Sequence, residues 1–269
     1  MKDHKKIFHR KPQKEAEDHL FPDGTKDFCF GIKPVQEALE AGKTLDKVLV
    51  QKGLQGEAWQ ELQELLKEHE VQTQYVPIEK LNRITRKNHQ GIIAFISPVG
   101  FHDLEQLLPT IYEEGRTPFF LVLDGITDVR NFGAICRTAY AAGVDAVIVP
   151  QKGGAAINAD AVKTSAGALF KLKVCKAKVL PRSIEYLKAS GLKIVAVTEK
   201  ESKMHSDLEL KGPIALVMGA EDKGISPSCL ELADLRAGIP MIGDIDSLNV
   251  SVAAGVMLYE IIRQRNLTS

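Results

Sequence analysis

FFLVLDGITDVRNFGAICRTAYAAGVDAVIVP, residues 119–150, holds a strand, a loop, a helix and a second strand. FFLVLD (119–124) and AVIVP (146–150) are short, continuous apolar runs. Between them, Asp128 or Asn131 is placed to cap a helix from about Phe132 to Ala142 that Gly143 ends. Phe132, Ile135, Cys136, Ala139 and Tyr140 form its predicted buried stripe. The same rhythm returns in KIVAVT (193–198), IALVMG (214–219) and LRAGIP (235–240). Uninterrupted apolar strands separated by helical or loop stretches predict an α/β unit with a parallel sheet covered on both faces.

Residues 28–97 predict a smaller α/β unit. PVQEALEAG (34–42) is a short helix with Pro34 in its first turn and Gly42 past its end. KVLVQ (47–51), QYVP (74–77) and GIIAFIS (91–97) are strand candidates, and EAWQELQELLKEH (57–69) has helical spacing. DLEQLLPTIYEEG (103–115) is expected as a connecting helix interrupted at Pro109. The organisation expected is a solvated tail over 1–27, a first domain over 28–97, a linker over 98–117 and a second domain over 118–269.

Composition narrows the function classes. Lys+Arg and Asp+Glu balance at 35 each, so any affinity for nucleic acid must come from local patches. Two are visible: Lys80, Arg83, Arg86, Lys87 and His89, then Lys171, Lys173, Lys176, Lys178 and Arg182. The start MKDHKKIFHRKPQKEAEDH lacks the apolar run of a secretory signal, and no stretch is long and apolar enough to span a bilayer. Cys29, Cys136, Cys175 and Cys229 stand far apart with no metal-ligand spacing, which fits reduced thiols in a cytoplasm. The loop after FFLVLD has no GxGxxG, so a nicotinamide-binding Rossmann unit loses its main support.

Three segments put Gly, Asn, Ser or Arg at strand ends, where open parallel sheets bind ligands. In DVRNFGAICRTA (128–139), Arg137 falls about 130° from the buried stripe. It lies in the N-terminal half of the helix, where the dipole disfavours a cation. A plain surface arginine and an anion-binding one both fit. In MGAEDKGIS (218–226), Gly219 permits close approach of a ligand to the backbone, and Glu221 follows it. In IPMIGDIDSLNVSVAAG (239–255), Ser247, Asn249 and Ser251 stand at the mouth of a helix. That helix, VSVAAGVMLYEII (250–262), is apolar on nearly every side and expected to be buried all round. In NADAVKTSAGAL (158–169), Lys163, Thr164 and Ser165 fit contact with phosphate and tight helix packing equally.

In this order the three segments resemble the motifs of the SpoU (TrmH-type) RNA ribose methyltransferases of the SPOUT superfamily. The resemblance covers about 28–265; FGIKPVQEAL and NHQGI (88–92) resemble the substrate-binding module of the branch acting on 23S ribosomal-RNA guanosine, itself similar to a ribosomal protein. It departs at Val129, where Pro is common, and at Asp222, where Gly is common.

The resemblance implies S-adenosylmethionine as cofactor, a trefoil knot in the C-terminal domain, and a homodimer whose active sites draw on both subunits. It implies no metal and no membrane. It assigns Asn131, Arg137, Glu221, Ser247 and Asn249 to the active site, and Thr198, Gly219, Ile239, Met241 and Leu248 to the cofactor pocket. RNA is the implied partner, 23S ribosomal RNA or a large-subunit precursor, which also makes the basic cluster at 80–89 an expected RNA contact. Transfer RNA as substrate, or a catalytically silent RNA-binding factor, are the alternatives.

Overall fold

The computed structural model describes residues 28–198 and 203–266; the expected tail at 1–27 lies outside the described residues. The N-terminal unit comprises β1 (Phe28–Phe30), α1 (Ile32–Glu40), β2 (Leu45–Gln51), α2 (Glu57–Glu68), β3 (Thr73–Val76), α3 (Ile78–Ile84) and β4 (Ile92–Ile96). Its four strands run in the order β1-β4-β2-β3, with β4 antiparallel to β1 and β2, and β3 parallel to β2. Helices α1 and α2 bury Val35, Leu39, Trp59, Leu62 and Leu66 on one face, while α3 places Leu81 against Leu49, Val76 and Ile93 on the other.

The C-terminal unit follows as β5 (Phe101–His102), α4 (Leu104–Glu113), β6 (Phe119–Asp124), α5 (Val129–Ala141), β7 (Ala146–Pro150), α6 (Ala159–Thr164), β8 (Lys173–Ala177), α7 (Leu180–Ala189), β9 (Lys193–Val197), β10 (Ile214–Gly219), α8 (Pro227–Leu230), β11 (Leu235–Ala237) and α9 (Val250–Asn266). Its seven strands are parallel, ordered β11-β9-β10-β6-β7-β8-β5. Alternate strand residues point to opposite faces: Phe119, Leu121 and Leu123 pack with α5, α6 and α9, whereas Phe120 and Val122 pack with α4, α7 and α8. This is the α/β parallel-sheet architecture expected from the apolar runs, with the small α/β unit preceding it.

Several expectations need correcting. The segment 98–117 is not a free linker: β5 pairs with β8, and α4 buries Leu107, Leu108 and Ile111 on the C-terminal sheet. Helix α4 also runs unbroken through Pro109. Proline removes the N–H that would bond the carbonyl four residues back, and that carbonyl, on Glu105, accepts instead from Tyr186 Oη at 3.4 Å. The basic run at 171–178 conceals β8. There Lys176 pairs with Asp46 Oδ1 at 2.8 Å and lies over the Phe101 ring, while Lys178 pairs with Glu70. These two lysines join the two units. Burial lowers the pKa of Lys176 below the usual lysine value, partly offset by Asp46.

Helix α5 starts three residues earlier than predicted, with Asp128 as its cap: Asp128 Oδ1 accepts from Asn131 N–H at 2.7 Å. Tyr140 is exposed and does not belong to the buried stripe. Nearer the helix start, a Cβ built on Gly133 would lie 2.7 Å from Thr164 Cβ and 2.9 Å from the Ala161 carbonyl. Ser165 is fully buried, its hydroxyl donating to Val162 O at 2.8 Å. Tight helix packing therefore accounts for Thr164 and Ser165.

Helix α9 is not buried all round. Val250, Ala254, Met257, Leu258 and Ile261 face the core, but Val252 and Tyr259 are 51% and 53% exposed. One apolar face of this helix is open in the single chain.

Candidate active site

Among the strands that end beside the site, β6 and β10 are hydrogen-bonded neighbours, and β10 also pairs with β9. The chain leaves β6 toward β7 and β8, then returns to lay β9, β10 and β11 on the other side. Reversal of strand order opens a crevice at the carboxyl ends of such strands. Asp124, the polar end of an otherwise apolar strand, accepts from Ser226 N–H at 2.7 Å and so ties the loop after β6 to the loop after β10. Sequence reasoning does not single out Asp124; its one signal is a carboxylate ending a buried strand.

The loop after β10 folds back on itself, with Gly224 N–H donating to Ala220 O at 2.8 Å and Ala220 N–H to Gly224 O at 3.2 Å. A Cβ on Gly219 would overlap the backbone of Gly224 and Ile225. Glycine is thus required at 219 by the closure of this loop.

The loop projects Glu221 toward two helix starts. Glu221 Oε1 accepts from Asn249 Nδ2 at 2.6 Å, from Val250 N–H at 3.0 Å and from Asn131 Nδ2 at 3.4 Å. Asn249 Nδ2 also donates to Asn131 Oδ1 at 3.0 Å, while Asn249 Oδ1 accepts from Ser251 N–H at 3.0 Å and caps α9. Residues 118 positions apart in sequence, Asn131 and Asn249, therefore meet on one carboxylate. A carboxylate at the N-terminus of α9 is electrostatically favoured there.

Beside this cluster lies a cavity whose walls include all five predicted cofactor residues, Thr198, Gly219, Ile239, Met241 and Leu248, together with Glu221 and Ser247. Met218, Ile225 and Leu230 add apolar wall, and Lys223 and Asp246 add opposite charges. Apolar walls with few converging polar groups suit a flat heteroaromatic ligand with a charged end. Among the described residues, no group of three or more His, Cys, Asp or Glu side chains could hold a metal.

Two predicted residues stand apart from the cluster. Ser247 lines the cavity but is exposed. Arg137 is exposed on α5 and has neither hydrogen bond nor ion pair among the described residues. Six residues past Asn131, it sits about 9 Å further along the helix and about 120° around it.

Known proteins share both units. Residues 118–259 match the SpoU rRNA Methylase family, and residues 28–101 match the RNA 2′-O ribose methyltransferase substrate-binding family. A Staphylococcus saprophyticus protein assigned to the TrmH family of tRNA/rRNA methyltransferases is 34% identical over 236 residues, 88% of this chain and 95% of that one. A crystal structure of an RNA 2′-O ribose methyltransferase superposes with a TM-score of 0.54 at 30% identity, covering 88% of both chains. The SpoU methyltransferase AviRb of Streptomyces viridochromogenes, solved with AdoMet, superposes with a TM-score of 0.57 at 25% identity over 90% of this chain and 91% of that one.

Proposed function

The chain belongs to the SpoU rRNA methylase family, and from that membership we propose that it methylates the 2′-hydroxyl of a guanosine ribose in 23S ribosomal RNA, using S-adenosylmethionine. The observation that carries the reading is the placement of the cavity at the ends of β9, β10 and β11 directly against the Asn131–Glu221–Asn249 cluster.

The residues present fit the cofactor. Ile239, Leu248 and Met218 offer apolar surface for its adenine, and Lys223 and Asp246 bring the opposite charges that suit its zwitterionic amino-acid end. When bound, it supplies a methyl group activated on a sulfonium, and no metal is needed for that chemistry. Glu221 fixes both asparagine amides, so that Asn131 and Asn249 are held ready to orient the ribose. Holding reacting groups in line supplies up to about 7–11 kcal/mol in ideal cases.

No histidine occurs in the three motif segments, so an imidazole base is not at hand. A guanidinium remains protonated at working pH, so Arg137 grips the neighbouring RNA phosphate and stabilises negative charge developing on the ribose oxygen. Its distance from the cluster within one chain supports a homodimer in which Arg137 of one subunit completes the site of the other. The open Val252 and Tyr259 face of α9 supplies an apolar surface for that association. The knot expected from the resemblance and the cytoplasmic location expected from the widely spaced cysteines belong to this same reading. No described helix is long and apolar enough to cross a membrane.

Labelled S-adenosylmethionine, incubated with the protein and RNA from cells lacking it, separates the substrates. Label in the large ribosomal RNA supports the proposal; label in transfer RNA alone keeps the reaction and removes the substrate.

A further inference from the structure

Asp124 ends β6 in register with Gly219, the last residue of β10. The two neighbouring strands therefore release their loops side by side. Gly125, at φ 73°, turns the chain at once, and a Cβ built on it would lie 3.8 Å from Ala220 Cβ. The Asp124 carboxylate reaches the far end of the neighbouring loop, where it accepts from Ser226 N–H at 2.7 Å. We propose that Asp124 is a positioning residue for the cofactor, which through Ser226 holds the loop after β10 in place as a wall of the cavity.

That loop has little else to hold it. Every residue from Gly219 to Ile225 except Asp222 lines the cavity. Residues 221–224 are nevertheless exposed, and the paired bonds between Ala220 and Gly224 close the loop only upon itself. Among the described residues, two carboxylates make the hydrogen bonds that tie 220–226 to elements other than α8. Glu221 does so at the tip, toward Asn131, Asn249 and the start of α9. Asp124 does so at the base, where the loop enters α8. A segment with few buried contacts opens readily, so the tie at its base sets how firmly the wall stands.

The strand itself does not call for a carboxylate. The other five residues of β6 are apolar and buried, and a charge at the end of such a strand loses hydration. A charged acceptor gives a backbone N–H a stronger bond than a neutral one, which offsets that loss. Cys229, buried on α8, lies against the same carboxylate. Burial pushes its thiol above the ordinary value and the bonded Asp124 adds to this, against an opposing bond with Ser226. Asp124 therefore meets both the end of the loop and α8, whose Leu230 is itself cavity wall.

The inference rests on the reading of the cavity as the S-adenosylmethionine site. Its test is calorimetric titration of the full chain with S-adenosylmethionine, beside thermal unfolding of each variant. Asp124→Ala removes the acceptor and is expected to raise the dissociation constant about tenfold. Asp124→Asn keeps an oxygen for Ser226 N–H and is expected to stay within about twofold of the wild type. Ser226→Pro removes the donor instead, at a residue whose φ of −60° proline already adopts. It is expected to weaken binding as Asp124→Ala does, and the two together no further than either, because both delete one bond. This second route keeps the test open if one variant folds poorly. A lowered unfolding midpoint with wild-type cofactor affinity would make Asp124 a cap for α8 and overturn the proposal. Equal weakening by Asp124→Ala and Asp124→Asn would place the effect in the charge and overturn it too. Both results leave the cavity reading standing, whereas an unsubstituted chain that binds no S-adenosylmethionine overturns the cavity and the positioning role together.

Discussion

Asn249 Nδ2 lies 2.6 Å from Glu221 Oε1, and the first backbone N–H of α9, on Val250, donates to that same oxygen at 3.0 Å. One carboxylate oxygen therefore orients an active-site amide and seats the helix behind it. Glu221→Ala removes the acceptor from both. Hydrogen bonds to a charged group contribute about 1.5–3 kcal/mol, so methyl transfer is expected to fall at least about tenfold. The midpoint of thermal unfolding falls with it. Single-turnover rates with cofactor held saturating check this, and unchanged rates would remove Glu221 from the site.

Gly219→Ala is expected to abolish cofactor binding without unfolding the chain. The new Cβ overlaps the Gly224 and Ile225 backbone, and the whole 219–225 loop has to move out of the cavity wall. Calorimetric titration with S-adenosylmethionine reads the loss, and circular dichroism reads the intact fold. Wild-type affinity would show that the loop closure is not what shapes the pocket.

Arg137→Ala and Asn131→Ala are each expected to be inactive alone. Mixed and reassociated, they regain activity if Arg137 serves the partner's site, because half of the random dimers then hold one complete site. Recovery to about a quarter of the wild-type rate is expected for an isologous dimer. If Arg137 acted within its own chain, no mixture would recover. Arg137→Lys keeps the charge but loses the planar fork, and near-normal turnover of that variant would remove any role needing the guanidinium.

Much of this arrangement was legible in the sequence, and the failures have physical causes. The apolar runs at 119–124, 146–150, 193–198 and 214–219 marked β6, β7, β9 and β10 because strands buried on both faces have no polar alternation, and 235–240 marked the edge strand β11 although Arg236 is exposed on it. Strand β8 escaped notice because lysines at 173 and 176 mask Val174 and Cys175, and because Lys176 lays its stem on Phe101 while its ammonium finds Asp46. Pro109 signalled a break that a tyrosine hydroxyl from another helix makes unnecessary. The meeting of Asn131, Glu221 and Asn249 came from motif resemblance, since no periodicity relates positions so far apart. The separation of Arg137 from Asn131 follows from six residues of helical spacing, whereas no local pattern in the sequence tells which chain's site Arg137 serves.

The Lys176–Asp46 pair fixes the orientation of the two units and is mostly buried, with side-chain exposures of 15% and 12%. Lys176→Ala leaves Asp46 without its cation, a loss expected to be near 3 kcal/mol by analogy with other buried pairs. Removing both charges, as Lys176→Met with Asp46→Leu, restores most of it. Denaturant unfolding of the double-mutant cycle measures the coupling, and additive losses would mean that the pair is not coupled.

Acid sensitivity has a specific source in Glu260. Its carboxylate accepts from Arg263 Nε at 2.8 Å, from Arg263 Nη2 at 2.7 Å and from Gln264 Nε2 at 2.7 Å. The Arg263 hydrogen bonds, opposed in part by burial, hold its pKa down to about 2 against an ordinary 4.5. A depressed carboxylate favours the folded state above its unfolded pKa, and that contribution is lost as pH falls from about 4.5 to about 2. Glu260→Gln is therefore expected to lower the unfolding temperature at neutral pH, with the difference from wild type shrinking across that window. A pH-independent difference would place the effect in packing.

The most direct measurement of the central claim is the chemical identity of the product. RNA methylated by the protein from labelled S-adenosylmethionine is digested to nucleosides and resolved by mass. Label confined to 2′-O-methylribose, absent from the Glu221→Ala reaction, is the predicted result. Label on a base instead, or methyl transfer undiminished in that variant, would contradict the assignment of this cavity and cluster to ribose methylation.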